Sequence, residues 1–172
     1  MPEPAEVQRG LQDVVALESR ICFIDGKQGR LIYQGYDIRD LAARSTFEEV
    51  AYLLWYGRLP SATQLADLRA QFGALRALPE PLVQQIDQMP VEAHPMDILR
   101  TSVSALALFE PDETKPGASS IGGAQRLTAV LPSILGQFHR RRERLPPLRA
   151  RPELSQAAYL IYALLDRDPT EL

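Results

Sequence analysis

The sequence predicts an all-α array of about seven helices preceded by one small β-hairpin. Three observations carry that reading. From residue 45 onward, apolar residues recur every three or four positions, the period of a helix face. The fourteen prolines fall mostly at helix starts or in connectors, where a missing N–H costs little. Only residues 19–36 pattern as β, with short apolar stretches on either side of Asp25-Gly26-Lys27-Gln28-Gly29.

The bulk numbers fit one globular domain. The 172 residues are enough to bury a core, and 45% hydrophobic with 24% charged residues is ordinary for such a chain. A net charge of −3 argues against phosphate-driven nucleic-acid binding. The one dense basic run is Arg140-Arg141-Arg142, extended by Arg144, Arg149 and Arg151; it reads as a solvated helix end and loop. A single cysteine, Cys22, excludes an internal disulfide and agrees with a reducing compartment. Its neighbours Ile21, Phe23 and Ile24 make it a small buried core residue rather than a reactive thiol. The N-terminus lacks the plan of a signal peptide, and no apolar run approaches the ~20 residues of a bilayer span, so the expectation is a cytoplasmic protein off the membrane.

In order along the chain, residues 1–9 read as a flexible end and 10–172 as the folded region. Ser19 to Tyr36 forms the hairpin, its turn supplied by Asp25-Gly26 and Gly29, and it must rest on helices to be stable. Residues 37–172 are expected to be helical apart from connectors. Asp37 caps a short helix through Ala43. Ser45-Thr46-Phe47-Glu48 has capping-box spacing, with Ser45 as the cap of a heavily buried helix that carries Phe47, Val50, Leu54 and Trp55. Gly57 ends it and Pro60 prevents its resumption. Ser61 caps the next helix, with Leu65, Leu68 and Phe72 as its stripe. Pro79 and Pro81 open another, which Pro90 stops. His94-Pro95 begins a further helix. Residues 110–123 read as a loop rich in Pro, Gly, Ser and charge. Gln125 to Arg142 is a helix that Pro132 should kink or split, and Leu154 to Leu165 is the last apolar helix.

The residues by themselves carry no strong catalytic signature. Of two histidines, His94 sits at a helix start and reads as a cap, and His139 lies beside arginines and reads as exposed. No His, Cys or carboxylate group has metal-ligand spacing. Gly26 to Gly29 and Gly117 to Gly123 both fail the tests for a phosphate loop. Glu48 and Glu49 are adjacent on a helix and do not face each other.

Several segments in order nevertheless resemble the citrate synthases and 2-methylcitrate synthases. Gly10-Leu11 with Val14 opens the match. Ser19 to Gly26, then Gly29, Leu31, Tyr33, Gly35-Tyr36 and Ile38, is similar to the family's hairpin. Ser45-Thr46-Phe47-Glu48-Glu49-Val50, Leu53-Leu54 and Gly57-Arg58-Leu59-Pro60 are similar to its next helix, and Ala93-His94-Pro95-Met96, Leu99-Arg100-Thr101 and Val103-Ser104 to its HPM segment. The resemblance implies the N-terminal part of a citrate synthase-type helical array, truncated at Leu172. It implies condensation of acetyl-CoA with oxaloacetate, as in the tricarboxylic acid cycle, by general acid–base and electrostatic catalysis without a metal or other cofactor.

Two departures qualify this expectation. The family's histidine-rich segments, catalytic aspartate and carboxylate-binding arginines have no counterpart in the 172 residues, so no residue here is assigned as catalytic. Where the family has a histidine that helps bind oxaloacetate, in a Ser-His-Ala-Ala-Asn-like segment, this chain has Ser155-Gln156-Ala157-Ala158-Tyr159. Gln156 is therefore the one candidate substrate-binding position, and a degenerate one, since an amide cannot become cationic. Two functions are consistent with this. One is a portion of an acyltransferase that a second citrate synthase-like chain completes. The other is a catalytically dead binding module that associates with itself, as a dimer, or with a complete relative. Acetyl-CoA and oxaloacetate are ligands only in the first. The end of the chain, Pro169-Thr170-Glu171, reads as the first turn of a further helix.

Overall fold

The computed structural model describes residues 19–109 and 121–167. The expectations for residues 1–9, for 110–120 of the loop and for the turn at Pro169 lie outside the described residues. The chain divides into two compact units, one ending at Ser45 and one beginning at Thr46.

The first unit is a three-stranded antiparallel sheet and one helix. Strand β1 (Cys22–Asp25) pairs with β2 (Arg30–Tyr33), which pairs with β3 (Tyr36–Asp37). The expected hairpin is therefore extended by one short strand. Asp25 shapes the first turn by accepting from the Lys27 and Gln28 amides, both at 3.0 Å, and Gly29 supplies a φ of +62°. The second turn has only Gln34 and Gly35 between paired Tyr33 and Tyr36, with φ of 48° and 89°. Two consecutive positive φ values make it a primed turn, whose twist suits a tight hairpin. Asn-Gly is the usual signal for that turn, and Gln-Gly hid it. Cys22 is half-buried rather than buried, because this thin sheet leaves much of β1 open. Helix α1 (Ile38–Arg44) starts at Asp37, whose carboxylate accepts from the Arg39 amide at 2.9 Å, as expected.

The second unit holds six helices among the described residues: α2 (Phe47–Tyr56), α3 (Ala62–Leu75), α4 (Glu80–Gln88), α5 (Pro95–Leu106), α6 (Ile121–Glu143) and α7 (Gln156–Leu165). The capping box of α2 is shifted one residue from expectation. Thr46, not Ser45, accepts from the Glu49 amide, and the Glu49 carboxylate receives the Thr46 N–H at 2.7 Å. Ser45 instead closes α1 through its own N–H to Leu41. The shift frees Glu48, which turns inward and is 1% exposed, while Phe47 turns outward at 49%. Ser61 forms a second box with Gln64, and His94 caps α5 through Nδ1. Residues 121–123, expected in the loop, are the first turn of α6.

The central element is α6, 23 residues long and unbroken at Pro132. Its one face packs with α4 and α5 through Leu82, Ile86, Ile98, Leu106, Val130, Ile134 and Phe138. Each such side chain contributes about 1.5–3 kcal/mol by leaving water. A neighbouring cluster joins Tyr52 of α2, Leu68 and Phe72 of α3 and Ala129 of α6. A third face of α6 is small, and α7 lies close against it: a Cβ on Gly136 would stand 2.7 Å from that of Ala163.

The basic run is not a solvated helix end. Arg140 is 1% exposed; its guanidinium donates to the carbonyls of Ala163 (3.0 Å), Tyr162 (2.8 Å) and Pro146 (2.9 Å), and pairs with Asp166 at 2.7 Å. It therefore caps the C-terminal end of α7, where a cation complements the helix dipole. Arg141 is only half-buried and donates to the Met89 carbonyl. Solvation holds for Arg142, Arg144 and Arg149, and Arg151 is half-buried.

Candidate functional site

Position 156 is the first residue of α7. Ser155 caps the helix, accepting from the Ala158 amide at 3.2 Å. The Gln156 side chain is buried, at 5% exposure, and every polar group of the residue other than its carbonyl meets a partner from another element. Its backbone N–H donates to the Glu48 carboxylate of α2 at 2.7 Å. Its amide nitrogen donates to the Thr128 carbonyl of α6 at 2.5 Å, and its amide oxygen receives Arg76 at 3.4 Å.

The Thr128 contact has a specific origin. In an α-helix the amide of residue i donates to the carbonyl of i−4, and proline has no N–H to give. Pro132 therefore leaves the carbonyl of Thr128 without its helical partner. The Gln156 amide takes that partner's place, which is one reason α6 accommodates an interior proline without splitting.

Arg76, at the end of α3, is the hub of the surrounding network and is 2% exposed. It donates to the carbonyls of Arg151 and Leu154, both at 2.7 Å, and so fixes the connector that leads into α7. Its guanidinium lies over the Tyr159 ring, 4.3 Å from the centroid. Burial lowers its pKa from the ordinary guanidinium value, opposed by Tyr159, Glu48 and Glu153. Burial likewise raises the Tyr159 phenol, opposed by its bond with Ser133 and by the Arg76 charge. Ser133 donates to the Arg76 carbonyl at 2.8 Å; its single hydrogen is then engaged, so at 3.1 Å the Tyr159 hydroxyl donates to Ser133. Arg126 completes the set from α6 by donating to the carbonyls of Leu75 and Ala77.

This network binds protein to protein. Neither histidine shares a hydrogen bond with Gln156: His94 is engaged as the α5 cap, accepting from the Met96 amide at 3.2 Å, and His139 is half-buried on α6 rather than exposed. Among the described residues, no group of three or more His, Cys, Asp or Glu is placed to hold a metal, and no helix is long and apolar enough to cross a membrane. Sequence reasoning reached Gln156 but missed Glu48, Arg76 and Arg126. A signal was available for one of them: Arg126, Ala129, Ser133, Gly136 and Arg140 recur at helical spacing, so both arginines lie in phase with the small face of α6.

Comparisons with known proteins agree on one family. The family profile described as citrate synthase, C-terminal domain, matches residues 10–172. A 2-methylcitrate synthase of Mycobacterium tuberculosis is 35% identical over 167 residues, which is 97% of this chain and 42% of that protein. A citrate synthase of Haloferax volcanii is 34% identical over 172 residues, covering 97% of this chain and 45% of that protein. The crystal structure of citrate synthase from Thermotoga maritima superposes with a TM-score of 0.83 at 31% identity, over 95% of this chain and 42% of that one. The ternary complex of carboxymethyl coenzyme A and oxaloacetate with citrate synthase from Thermoplasma acidophilum gives 0.85 at 26% identity, over 95% and 43%. The chain thus spans less than half the length of the relatives it matches.

Proposed function

The chain belongs to the citrate synthase family, and we propose that it is one portion of a citrate synthase-type acyltransferase that does not condense acetyl-CoA with oxaloacetate by itself. Catalysis then requires a second polypeptide bearing the family's histidine-rich segments, catalytic aspartate and carboxylate-binding arginines. The observation that supports this most directly is the state of position 156. Its amide nitrogen donates to the carbonyl that Pro132 orphans and its oxygen receives Arg76, so the side chain is engaged within the fold and brings no cation to an oxaloacetate carboxylate. The reading makes the chain a cytoplasmic protein with a chain-like partner, not a nucleic acid or a membrane.

The outer side of α7 supports a partner. Gln156, its one strongly polar side chain, points inward, while Ala157, Ile161, Leu164 and Leu165 form an apolar stripe that is half-buried or exposed, with Leu165 at 54%. A helix apolar all round is normally covered on all sides.

The test is a citrate-forming assay on the purified chain, alone and mixed with the product of the neighbouring reading frame, with light scattering on the same samples. Activity in the mixture alone, with a mixed oligomer, is the expected result. Citrate formation by the isolated chain would overturn the proposal.

A further inference from the structure

A cleft in the second unit is not lined by Gln156 but shares Arg76, Ser133 and Tyr159 with the network around it. It measures about 210 Å³ and lies between the α3–α4 connector, α4, α6, α7 and the connector that precedes α7. Leu78, Val83 and Leu148 give it apolar walls, Ser133 and Tyr159 add two hydroxyl groups, and Arg149 stands on the lining as an exposed cation. We propose that this cleft binds a short aliphatic hydroxy acid with a single carboxylate.

Charge sets the first feature of the ligand. Arg149 differs from Arg76, Arg126 and Arg140 in having no hydrogen-bond or ionic partner among the described residues. Its fork of donors is free to take a carboxylate in two parallel bonds. It is the one exposed cation of the cleft among the described residues: Arg76, also on the lining, is buried and donates to the carbonyls of Arg151 and Leu154, with its Nε left without a hydrogen-bond partner. One exposed cation matches one carboxylate.

Hydrogen bonding sets the second. Ser133 donates to the Arg76 carbonyl and Tyr159 donates to Ser133, so both hydroxyl hydrogens are engaged. What the pair still offers is acceptor capacity, on the Tyr159 oxygen first. The complementary ligand group is a donor. A hydroxyl suits this better than an ammonium, which Arg149 on the same lining would repel.

Size sets the third. At about 210 Å³ the cleft lies below the about 300–1,000 Å³ of drug-sized sites, so its ligand is small. A four-carbon hydroxy acid places its methylene and methyl groups against Leu78, Val83 and Leu148. Small-molecule sites of this kind pair an apolar lining with a few fixed polar groups.

The probe is 3-hydroxybutyrate, titrated into the full 172-residue chain at low salt and followed by calorimetry and by ligand-observed NMR. Saturable one-to-one binding is expected. Butyrate, without the donor, should bind about fivefold more weakly, within the range of one neutral hydrogen bond. R149Q, at an exposed position that holds nothing else in place, should lose about tenfold, and V83F should block the cleft. No saturable binding of 3-hydroxybutyrate would overturn the proposal, as would affinity unchanged in both R149Q and V83F, or butyrate binding as tightly as the hydroxy acid. None of these results depends on whether the chain takes part in citrate formation.

Discussion

Pro132 and Gln156 should be energetically coupled, because both act on the carbonyl of Thr128. In the native chain, Gln156→Leu removes the donor that Pro132 made necessary. A partly buried carbonyl left without a partner costs about 1–3 kcal/mol, and the weak 3.4 Å contact with Arg76 adds little. In a Pro132→Ala background, the restored backbone amide at that position takes up the Thr128 carbonyl within the helix, and the same Gln156→Leu change leaves nothing orphaned there. The cost of Gln156→Leu should therefore fall by about 1.5 kcal/mol when Pro132 is already alanine, well within what double-mutant cycles resolve. The bond from the Gln156 backbone to Glu48 is untouched in all four chains, so it drops out of the cycle. Urea unfolding followed by helical circular dichroism gives the four stabilities. If Gln156→Leu costs the same in both backgrounds within about 0.5 kcal/mol, the Thr128 carbonyl is not what ties α7 to α6.

Other perturbations separate the buried network from its surroundings. Arg140→Ala strips the donor from the carbonyls of Ala163, Tyr162 and Pro146 and should cost about 4 kcal/mol, whereas the exposed neighbour Arg142→Gln should stay within about 0.5 kcal/mol, by the same urea assay. Thr46→Ala should cost about 1 kcal/mol through loss of the α2 cap and Ser45→Ala much less; equal effects would return the cap to Ser45. Gly136→Ala places a Cβ 2.7 Å from that of Ala163 and should cost about 1–3 kcal/mol, with hydrogen exchange accelerating first in α7. The Tyr159 phenol has its folded-state pKa raised by burial, so its contribution to stability is whole below about pH 10, where the unfolded-state phenol titrates, and falls as pH rises toward the folded-state value; in a pH series of urea midpoints, Tyr159→Phe should flatten that decline.

The local punctuation of the fold was legible in the sequence because its causes are local. Asp37, Ser61 and His94 each cap a helix that starts at the next residue, and Pro79, Pro90 and Pro95 bound α4 and α5 as their missing N–H groups require. The buried charges were illegible for the opposite reason. Glu48 meets Gln156 108 residues along the chain, and Arg76 meets the carbonyls of Arg151 and Leu154 75 and 78 residues away. An arginine whose partners are distant backbone carbonyls looks, in sequence, like any solvated arginine. The same ambiguity misassigned the Ser45-Thr46 box: both residues are good caps, and Glu48 and Glu49 are both good partners. The choice between the two registers is made by Gln156, which draws Glu48 inward and leaves Glu49 to close the box.

These buried groups place α7 more than they stabilise the chain. A charge taken from water carries a desolvation cost of several kcal/mol, and well-packed apolar residues often replace buried ions without loss of stability. What apolar residues would not do is fix both ends of a helix. Glu48 sets a negative charge at the N-terminal end of α7 and Arg140 a positive one at its C-terminal end, each the sign that the helix dipole favours. Arg76 and Arg140 then stack on Tyr159 and Tyr162, holding its rotation. The residue positioned with most care is the first of the helix, position 156. A histidine there has two ring nitrogens: one could donate to the Thr128 carbonyl that Pro132 orphans, with the other left to face a ligand. Glutamine keeps the first of these roles. Its oxygen is turned to Arg76, so the bonds that the side chain makes join α7 to α6 and to the end of α3.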